Sequence, residues 1–217
     1  MEKFYIEPKW KELLSDCKLD TLEKLLEFDD DSCCVSRHKR GKTFKITLPN
    51  NQIIFLKRDR FTYKKEIIRD LFRFKRPEPK TEKERKNFLL AKEYCFIVPT
   101  VIAWGQRRHC GLPRQAAMIM LPLNGVSLDN YIKNNPDSSQ KYILKAINRL
   151  AQLQNSGFYW PDYKPEHFFV MENDDIALID LERMEKRRHP LSTSIRKKQL
   201  EKFQTLVNEI LAEASKS

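Results

Sequence analysis

The feature that most constrains the fold of this chain is a predicted β-hairpin in its C-terminal part. Two short apolar runs, FFVM and IALI, flank the polar turn from Glu172 to Asp175, a pattern typical of two antiparallel strands. This turn length places Met171 opposite Ile176 and His167 opposite Asp180. Directly opposed residues have Cβ atoms about 5 Å apart on one face. An imidazole and a carboxylate are therefore expected to meet at the open end of the hairpin, whereas an odd-length loop would shift the register and break this pairing.

The loop that leads into the hairpin carries a carboxylate and an ammonium group. Asp162 lies five residues before His167, and Lys164 lies between them. Phosphoryl transfer uses a carboxylate to position a hydroxyl, a cation to contact the transferred phosphate and a metal ion across the phosphates. The loop and the hairpin together therefore indicate a phosphoryl-transfer centre.

The same stretch resembles a known family. The run DYKPEH, Asp162 to His167, is similar to the catalytic loop of protein kinases. In that loop an aspartate is followed five residues later by an asparagine, and here His167 takes the place of the asparagine. Histidine in that place, with the later motif IDLERM, resembles the bacterial lipopolysaccharide core kinases of the Kdo/heptose kinase family, within the protein-kinase-like superfamily. The runs FLKR, IIRDLFRFKRP, AWG and SLDNYI follow the family's order, so the resemblance covers roughly residues 34–206.

The resemblance implies an α+β, two-lobed, protein-kinase-like fold, and the predicted elements agree with it. Residues 1–121 are expected to form an N-lobe with an N-terminal helix, an antiparallel sheet and the helix that carries Glu84. Residues 122–217 are expected to form a reduced helical C-lobe with the catalytic loop, the metal-binding hairpin and a C-terminal helix. Capping boxes at Asp20–Glu23 and Thr81–Glu84 predict helix starts, and alternation in TFKITL and QIIFLKR predicts a first hairpin.

The resemblance gives the residues around the second hairpin roles that each have a structural alternative. Asp162 would orient the acceptor hydroxyl and take its proton, or be a turn-forming aspartate. Lys164 would contact the transferred phosphate, or be a surface lysine. Asp180 would ligate the metal, or cap a loop or helix. His167 would ligate magnesium or manganese, act through water, or only hydrogen-bond Asp162, because imidazole suits softer metals than magnesium.

Lys57 and Glu84 match the lysine that contacts the α- and β-phosphates of ATP and its partner on a helix. Lys57 ends a strand on the face of Ile53 and Phe55, where a lysine is unexpected unless an anion lies nearby. The alternative is a strand-end lysine that reaches solvent. Glu84 shares a helical stripe with Phe88, but the third position of a capping box would also explain a glutamate there.

Two weaker motifs would complete the ATP site. The segment Ser36–Lys42 contains one glycine where protein kinases have three, so phosphate contacts would come from Arg40, Gly41 and Lys42 and the backbone. The alternative is a plain basic turn. Leu121 and Leu123 match the inter-lobe hinge that binds adenine through its backbone, or belong to an ordinary buried strand.

Trp160 and Pro161 replace the His-Arg pair that precedes the aspartate in protein kinases. Without that arginine, control by phosphorylation of an activation loop is not expected. We expect packing of Trp160 in the core to hold the loop instead.

The net charge of +11 favours an anionic partner, with a solvated lysine-rich surface as the alternative. At 41% hydrophobic and 33% charged residues, the chain is expected to be folded and not embedded in a membrane. Its first residues lack an apolar signal core, and its five cysteines lack metal-type spacing, which together favour the cytoplasm. The basic segment YKKEIIRDLFRFKRP would either rest on the anionic inner membrane or pack against the core with a solvated face, and core packing is the preferred interpretation.

The acceptor is expected to be a small hydroxyl compound. The chain continues only to Ser217 after Asp180, which leaves little room for the peptide-binding subdomain of protein kinases. The hypothesis is an ATP-dependent kinase, with magnesium or manganese, that phosphorylates a lipid-linked lipopolysaccharide core sugar. Nucleic acid is disfavoured as a partner, and the oligomeric state is open. The alternatives are an atypical serine/threonine protein kinase of reduced size and a basic pseudokinase-type binding protein.

Overall fold

The computed structural model describes residues 1–215, which form a mixed fold of helices and strands and confirm the predicted α+β class. The strands are β1 (Glu2–Ile6), β2 (Cys34–His38), β3 (Gly41–Thr47), β4 (Ile53–Asp59), β5 (Val101–His109), β6 (Leu112–Met120), β7 (Gly125–Ser127), β8 (Phe158–Tyr159), β9 (Phe168–Met171), β10 (Ile176–Leu178) and β11 (Glu185–Lys186). The helices are α1 (Lys11–Asp16), α2 (Leu22–Glu27), α3 (Lys64–Phe72), α4 (Lys80–Glu93), α5 (Leu128–Asn134), α6 (Gln140–Asn155) and α7 (Thr193–Ala214).

The chain divides into two compact units. The first contains Met1–Lys86 and Pro99–Pro122, and the second contains Asn87–Val98 and the chain from Leu123 onward. The predicted lobe boundary after residue 121 lies beside the break at Pro122, whereas residues 87–98 join the second unit. The helix α4 therefore contributes to both units.

The first unit is built on a six-stranded antiparallel sheet with the order β1-β5-β6-β4-β3-β2. The predicted hairpin is confirmed as β3 and β4, with Phe44 opposite Leu56. The helix α2 is confirmed, but its predicted capping box Asp20–Glu23 is wrong by one residue, because the cap is Thr21, whose hydroxyl accepts from the Lys24 N–H at 3.3 Å. Its leucines are buried against the sheet, as its spacing predicted. The edge strand β1, which pairs with β5, was not predicted.

The helix α4 does not start as its sequence predicted. Thr81 lies inside the first turn, and both its N–H and its hydroxyl donate to Asp59 Oδ2, at 2.8 and 2.9 Å. The capping-box prediction for Thr81–Glu84 is therefore wrong. Asp59, at the end of β4, accepts the hydrogen bonds at this helix start, and Glu84 is left for another role.

The helix α3 contradicts the prediction that the basic segment packs on the core through its apolar residues. Glu66 and Asp70 are its buried residues, while Ile68, Leu71 and Phe72 are exposed.

In the described part of the chain, no helix combines the length and apolar composition needed to cross a membrane.

The second unit surrounds a small sheet with the order β10-β9-β7 and a two-stranded pair of β8 and β11. Helices α5, α6 and α7 pack around it. Its buried side chains include Leu150, Phe168, Leu178 and Phe203. This unit contains the catalytic-loop segment and the second hairpin.

The register of the second hairpin differs by one residue from the prediction. Ile176 pairs with Val170, not with Met171. The Asp174 N–H donates to the Met171 carbonyl, and the Met171 N–H donates to the Asp175 carbonyl. Met171 therefore faces Asp175, and the loop has three residues, Glu172 to Asp174, where four were predicted. Asp174 ends this loop with a left-handed φ of +67°, as is common in three-residue hairpin loops with a bulge.

Candidate active site

The catalytic-loop segment is a short turn, held by its own backbone, between β8 and β9. The Lys164 N–H donates to the Asp162 carbonyl at 2.9 Å, and the His167 N–H donates to the Lys164 carbonyl at 2.9 Å. Pro165 begins the 3-10 turn that ends at His167, where its fixed φ suits a first helical position. These bonds fold the loop back so that Asp162 and His167 are in contact.

The His167 side chain lies between oxygen atoms of two aspartates. Its Nδ1 is 2.5 Å from the main-chain oxygen of Asp162. Because a carbonyl oxygen only accepts, Nδ1 carries the proton and the neutral ring keeps its lone pair on Nε2. Nε2 is 3.6 Å from Asp180 Oδ2 and 3.5 Å from Glu166 Oε1. In this tautomer Nε2 is unprotonated, which is the form that binds a metal ion.

Asp180 reaches His167 through an unusual backbone conformation. The strand ladder ends at the pair of Leu178 and Phe168, the Ile179 N–H donates to the His167 carbonyl at 3.0 Å, and Asp180 then adopts a φ of +53°. Left-handed φ is uncommon outside glycine, and such residues cluster at functional sites. The structure therefore brings the two predicted residues together although the register that predicted their meeting was wrong.

Trp160 holds the catalytic loop and the Asp180 segment together. The side chain is fully buried, its Nε1 donates to the Asp180 carbonyl at 3.3 Å, and its ring lies 5.3 Å from that of Phe168. Its own carbonyl accepts from Gln199 of α7 at 3.1 Å. The expectation that core packing of Trp160 stabilises this loop is confirmed.

Arg183 is a residue that sequence reasoning missed. Its guanidinium donates to Asp162 Oδ1 at 2.9 Å, so the expected proton acceptor is ion-paired. The signal was present in the motif IDLERM, whose arginine was given no role. Lys164, in contrast, is exposed and pairs with Glu166 at 3.1 Å, and its contact with a phosphate stays a prediction.

Asn87 of α4 is a second missed residue. Its Nδ2 donates to the carbonyl oxygens of Leu181 and Met184 at 2.6 and 3.0 Å. It therefore fixes the backbone that directly follows Asp180. No local sequence pattern predicts a contact across 94 residues.

Lys57 and Glu84 form the ion pair that the family resemblance implied. The Lys57 Nζ lies 2.6 Å from Glu84 Oε2, and the glutamate side chain is only 3% exposed. On the strand β4, the side chains of Ile54 and Leu56 point into the core of the first unit. Lys57 lies on the other face of this strand. The buried carboxylate needs a cation nearby, and Lys57 supplies it.

The basic residues expected to contact phosphate bind carboxylates within the first unit. Arg40 donates to Asp59 at 3.2 Å, and the Lys42 Nζ lies 2.6 Å from Asp29 Oδ1. A Cβ atom at Gly41 would overlap the Arg58 carbonyl, so close strand packing alone requires this glycine. Their contact with ATP stays a prediction.

Leu121 and Leu123, which were expected to contact adenine, lie at the end of the first unit and the start of the second. The Leu121 N–H donates to the Thr100 carbonyl at 2.9 Å. A contact with adenine by Leu121 would therefore use its carbonyl oxygen. The role of Leu123 stays a prediction.

The potential metal ligands near His167 suit a metal ion whose remaining ligands come from phosphate and water. Among residues 1–215, no group of three or more His, Cys, Asp or Glu side chains forms a metal site. Magnesium is usually bound by one or two carboxylates with substrate phosphates and water, and Asp180 with His167 Nε2 provides such a partial set.

Comparison with known proteins gives one family and several related folds. The family model for "Lipopolysaccharide kinase (Kdo/WaaP) family" matches residues 32–215. A structure of WaaP in complex with acyl carrier protein has a TM-score of 0.66 at 14% identity and covers 98% of this chain and 88% of that one. A crystal structure of WbdD has a TM-score of 0.54 at 18% identity, covering 81% of this chain but 36% of that one. These identities support the kinase-like fold alone, and a search of curated proteins gave no match.

Proposed function

This chain belongs to the lipopolysaccharide kinase (Kdo/WaaP) family, and from that premise we propose how its residues carry out phosphoryl transfer. The chain is a kinase of lipopolysaccharide core sugars that uses ATP. The observation that carries the residue assignment is the contact of His167 with both Asp162 and Asp180.

Asp162 is proposed to act on the acceptor hydroxyl. Its carboxylate accepts the hydroxyl proton while the hydroxyl oxygen bonds to the γ-phosphorus, and the bond from that phosphorus to the β,γ-bridging oxygen breaks to release ADP. Arg183 orients the carboxylate through its contact with Oδ1. Lys164 is the cation proposed to contact the transferred phosphate.

ATP is proposed to be oriented by Lys57, which contacts the α- and β-phosphates. The Lys57–Glu84 pair at 2.6 Å supports this role, because the buried glutamate holds the flexible lysine side chain in one position before nucleotide binds. Arg40, Gly41, Lys42, Leu121 and Leu123 remain proposed nucleotide contacts.

Asp180 and His167 are proposed to hold a divalent metal, magnesium or manganese. When bound, the metal would neutralise charge on the phosphate oxygens. The hard oxygen of Asp180 suits both metals, whereas the Nε2 of His167 favours manganese.

The acceptor is proposed to be a lipid-linked glycan, phosphorylated in the cytoplasm at the inner membrane. The family supports a sugar acceptor. The cytoplasm is where ATP is available, and the five cysteines are all free, as in a reducing compartment.

The test is transfer of label from [γ-³²P]ATP into a fractionated lysate that is separated into glycolipid, protein and small molecules. We expect label in glycolipid with the wild type and, with Asp162→Asn, a rate roughly 10²–10⁴-fold lower. Asp137→Asn, an exposed aspartate in a loop of the second unit, is the matched control with a normal rate. Label confined to protein would indicate a protein kinase, and no turnover in any fraction would indicate a binding protein without catalysis.

A further inference from the structure

The helix α3 buries its acidic side chains and exposes most of its apolar ones, which is the reverse of the usual pattern for a surface helix. Such a helix normally buries its apolar residues and exposes its charged ones. Here Glu66 and Asp70 are buried, whereas Ile68 and Leu71 are each 52% exposed and Phe72 is 83% exposed.

The inward acidic face explains why the helix holds this orientation. Asp70 lies 2.5 Å from the Lys83 Nζ of α4. Glu66 lies 3.8 Å from Arg40 and 4.0 Å from Lys80. Ion pairs therefore anchor α3 to the first unit, and Ile68, Leu71 and Phe72 are left outside.

Phe74, just beyond α3, has an unfavourable conformation for its residue type. Its φ is +53°, and the N–H of Lys75 donates to the Asp70 carbonyl as in a helix terminus of the Schellman type. Glycine or asparagine is usual at such a position, and a bulky residue with positive φ is an outlier. The side chain is fully exposed (101%), so no packing within the described chain accounts for phenylalanine.

Within residues 63–76, the exposed charged side chains are all basic. In residues 63–76 the acidic side chains are Glu66 and Asp70, which are both buried. The exposed basic residues of this stretch are Lys64, Lys65, Arg69, Arg73, Lys75 and Arg76. Apolar and basic side chains on one exposed helix are the combination that binds an anionic bilayer surface.

A hollow whose charged side chains are mainly arginines adjoins the segment that leads into α3. Its charged lining residues are Arg60, Arg107, Arg108 and Arg114, with Glu2 as the acidic member. The Thr62 hydroxyl donates to the Arg114 carbonyl at 3.3 Å, which ties this hollow to the start of the helix. More positive charge therefore lies beside the α3 surface.

We propose that α3 and Phe74 form a membrane-docking surface that inserts Ile68, Leu71, Phe72 and Phe74 between the headgroups of anionic phospholipids, with the surrounding lysines and arginines on the phosphates. The choice of a membrane as partner rests on the proposed function, because a lipid-linked acceptor lies in a bilayer. Each basic side chain near such a surface strengthens binding roughly fivefold, and the binding weakens with salt.

The test is flotation of the purified full chain with vesicles, without ATP or acceptor, so that its outcome does not depend on catalysis. Vesicles of phosphatidylcholine alone are compared with vesicles that also contain phosphatidylglycerol. The variant Phe72→Ser/Phe74→Asn removes both aromatic rings, and asparagine tolerates the φ of position 74. Leu144→Ser removes a similarly exposed apolar residue from α6 (51% exposed) and is the matched control.

We expect the wild type and Leu144→Ser to float with anionic vesicles and not with neutral ones. We expect the double variant to bind at least tenfold more weakly while it phosphorylates a detergent-solubilised acceptor normally. Absence of binding to anionic vesicles at low salt, or equal binding by the double variant, would overturn the proposal.

Discussion

Arg183 donates to the Asp162 carboxylate at 2.9 Å and thereby joins the catalytic loop to the segment that follows Asp180. The guanidinium is 56% exposed, whereas the carboxylate is only 22% exposed. The contact engages one carboxylate oxygen, Oδ1, and leaves Oδ2 for the hydroxyl proton that Asp162 is proposed to accept. Arg183 is therefore proposed as a positioning residue for Asp162.

Replacement of Arg183 by glutamine is expected to lower kcat about fivefold and to leave the KM for ATP unchanged. An exposed ion pair contributes up to about 1 kcal/mol, and tenfold in rate corresponds to about 1.4 kcal/mol. Arg183→Lys should recover part of the loss, and Arg188→Gln, at an exposed arginine nearby, should be neutral. Initial rates over a range of ATP concentrations measure both constants, and a normal kcat in Arg183→Gln would exclude the positioning role.

Removal of Lys57 is expected to reduce both stability and ATP use. In Lys57→Met the Glu84 carboxylate stays buried without its cation, which costs about 3 kcal/mol of unfolding free energy. The double variant Lys57→Met/Glu84→Gln should recover much of that stability but not the affinity for ATP. Urea unfolding and ATP titration separate the two effects. If the double variant regained normal ATP kinetics, the pair would be structural only.

Substitution of His167 by asparagine is expected to change the metal preference. The variant replaces an imidazole nitrogen, which suits manganese, with a hard amide oxygen, which suits magnesium. The ratio of activity with manganese to activity with magnesium should therefore fall. The decisive measurement is the dependence of rate on each metal for both proteins, and identical profiles would argue against direct ligation by His167.

The sequence predicted which chemical groups meet at the second hairpin better than it predicted how they meet. His167 and Asp180 are brought together, but through left-handed conformations at Asp174 and Asp180. These are non-glycine residues, so the sequence carries no clear signal for them. The register prediction assumed a four-residue loop, and it was wrong because the loop has three residues and shifts the pairing by one.

Long-range partners account for the other differences. The prediction for Thr81 used a local pattern, but Asp59 on a strand competes for the same helix start. The orientation of α3 depends on where Lys83 and Arg40 lie in the fold. Helix periodicity identifies an apolar face but cannot say whether that face turns inwards.

Replacement of Asn87 by leucine is expected to loosen the segment after Asp180. The carbonyl oxygens of Leu181 and Met184 would lose their donor, at about 1 kcal/mol for each hydrogen bond. Hydrogen exchange of the amides in residues 181–185 should accelerate, and kcat should fall. Leu89→Ser, at an exposed position of the same helix, is the control. Unchanged exchange in Asn87→Leu would mean that other contacts hold this backbone.

Asp174, in the turn of the second hairpin, is expected to make stability depend on pH in the acid range. Hydrogen bonds from Lys141 and Lys145 of α6, and from Tyr142, hold the pKa of this carboxyl well below its usual range, and the same contact raises the pKa of Tyr142 to about 12. A carboxyl whose pKa is lower in the folded state stabilises the fold above the unfolded pKa and loses that effect as pH falls through the folded pKa.

The variant Asp174→Asn keeps a residue that tolerates the left-handed turn but removes the charge. Its Tm should be below that of the wild type near neutral pH, and the difference should narrow as the pH is lowered beneath the ordinary carboxyl range. In the alkaline range, absorbance of the Tyr142 phenol should titrate closer to the ordinary tyrosine value in the variant. Asp137→Asn, in an exposed loop, should show neither change. A Tm difference that stays constant from neutral to acid pH would mean that Asp174 stabilises the turn by its conformation and not by its charge.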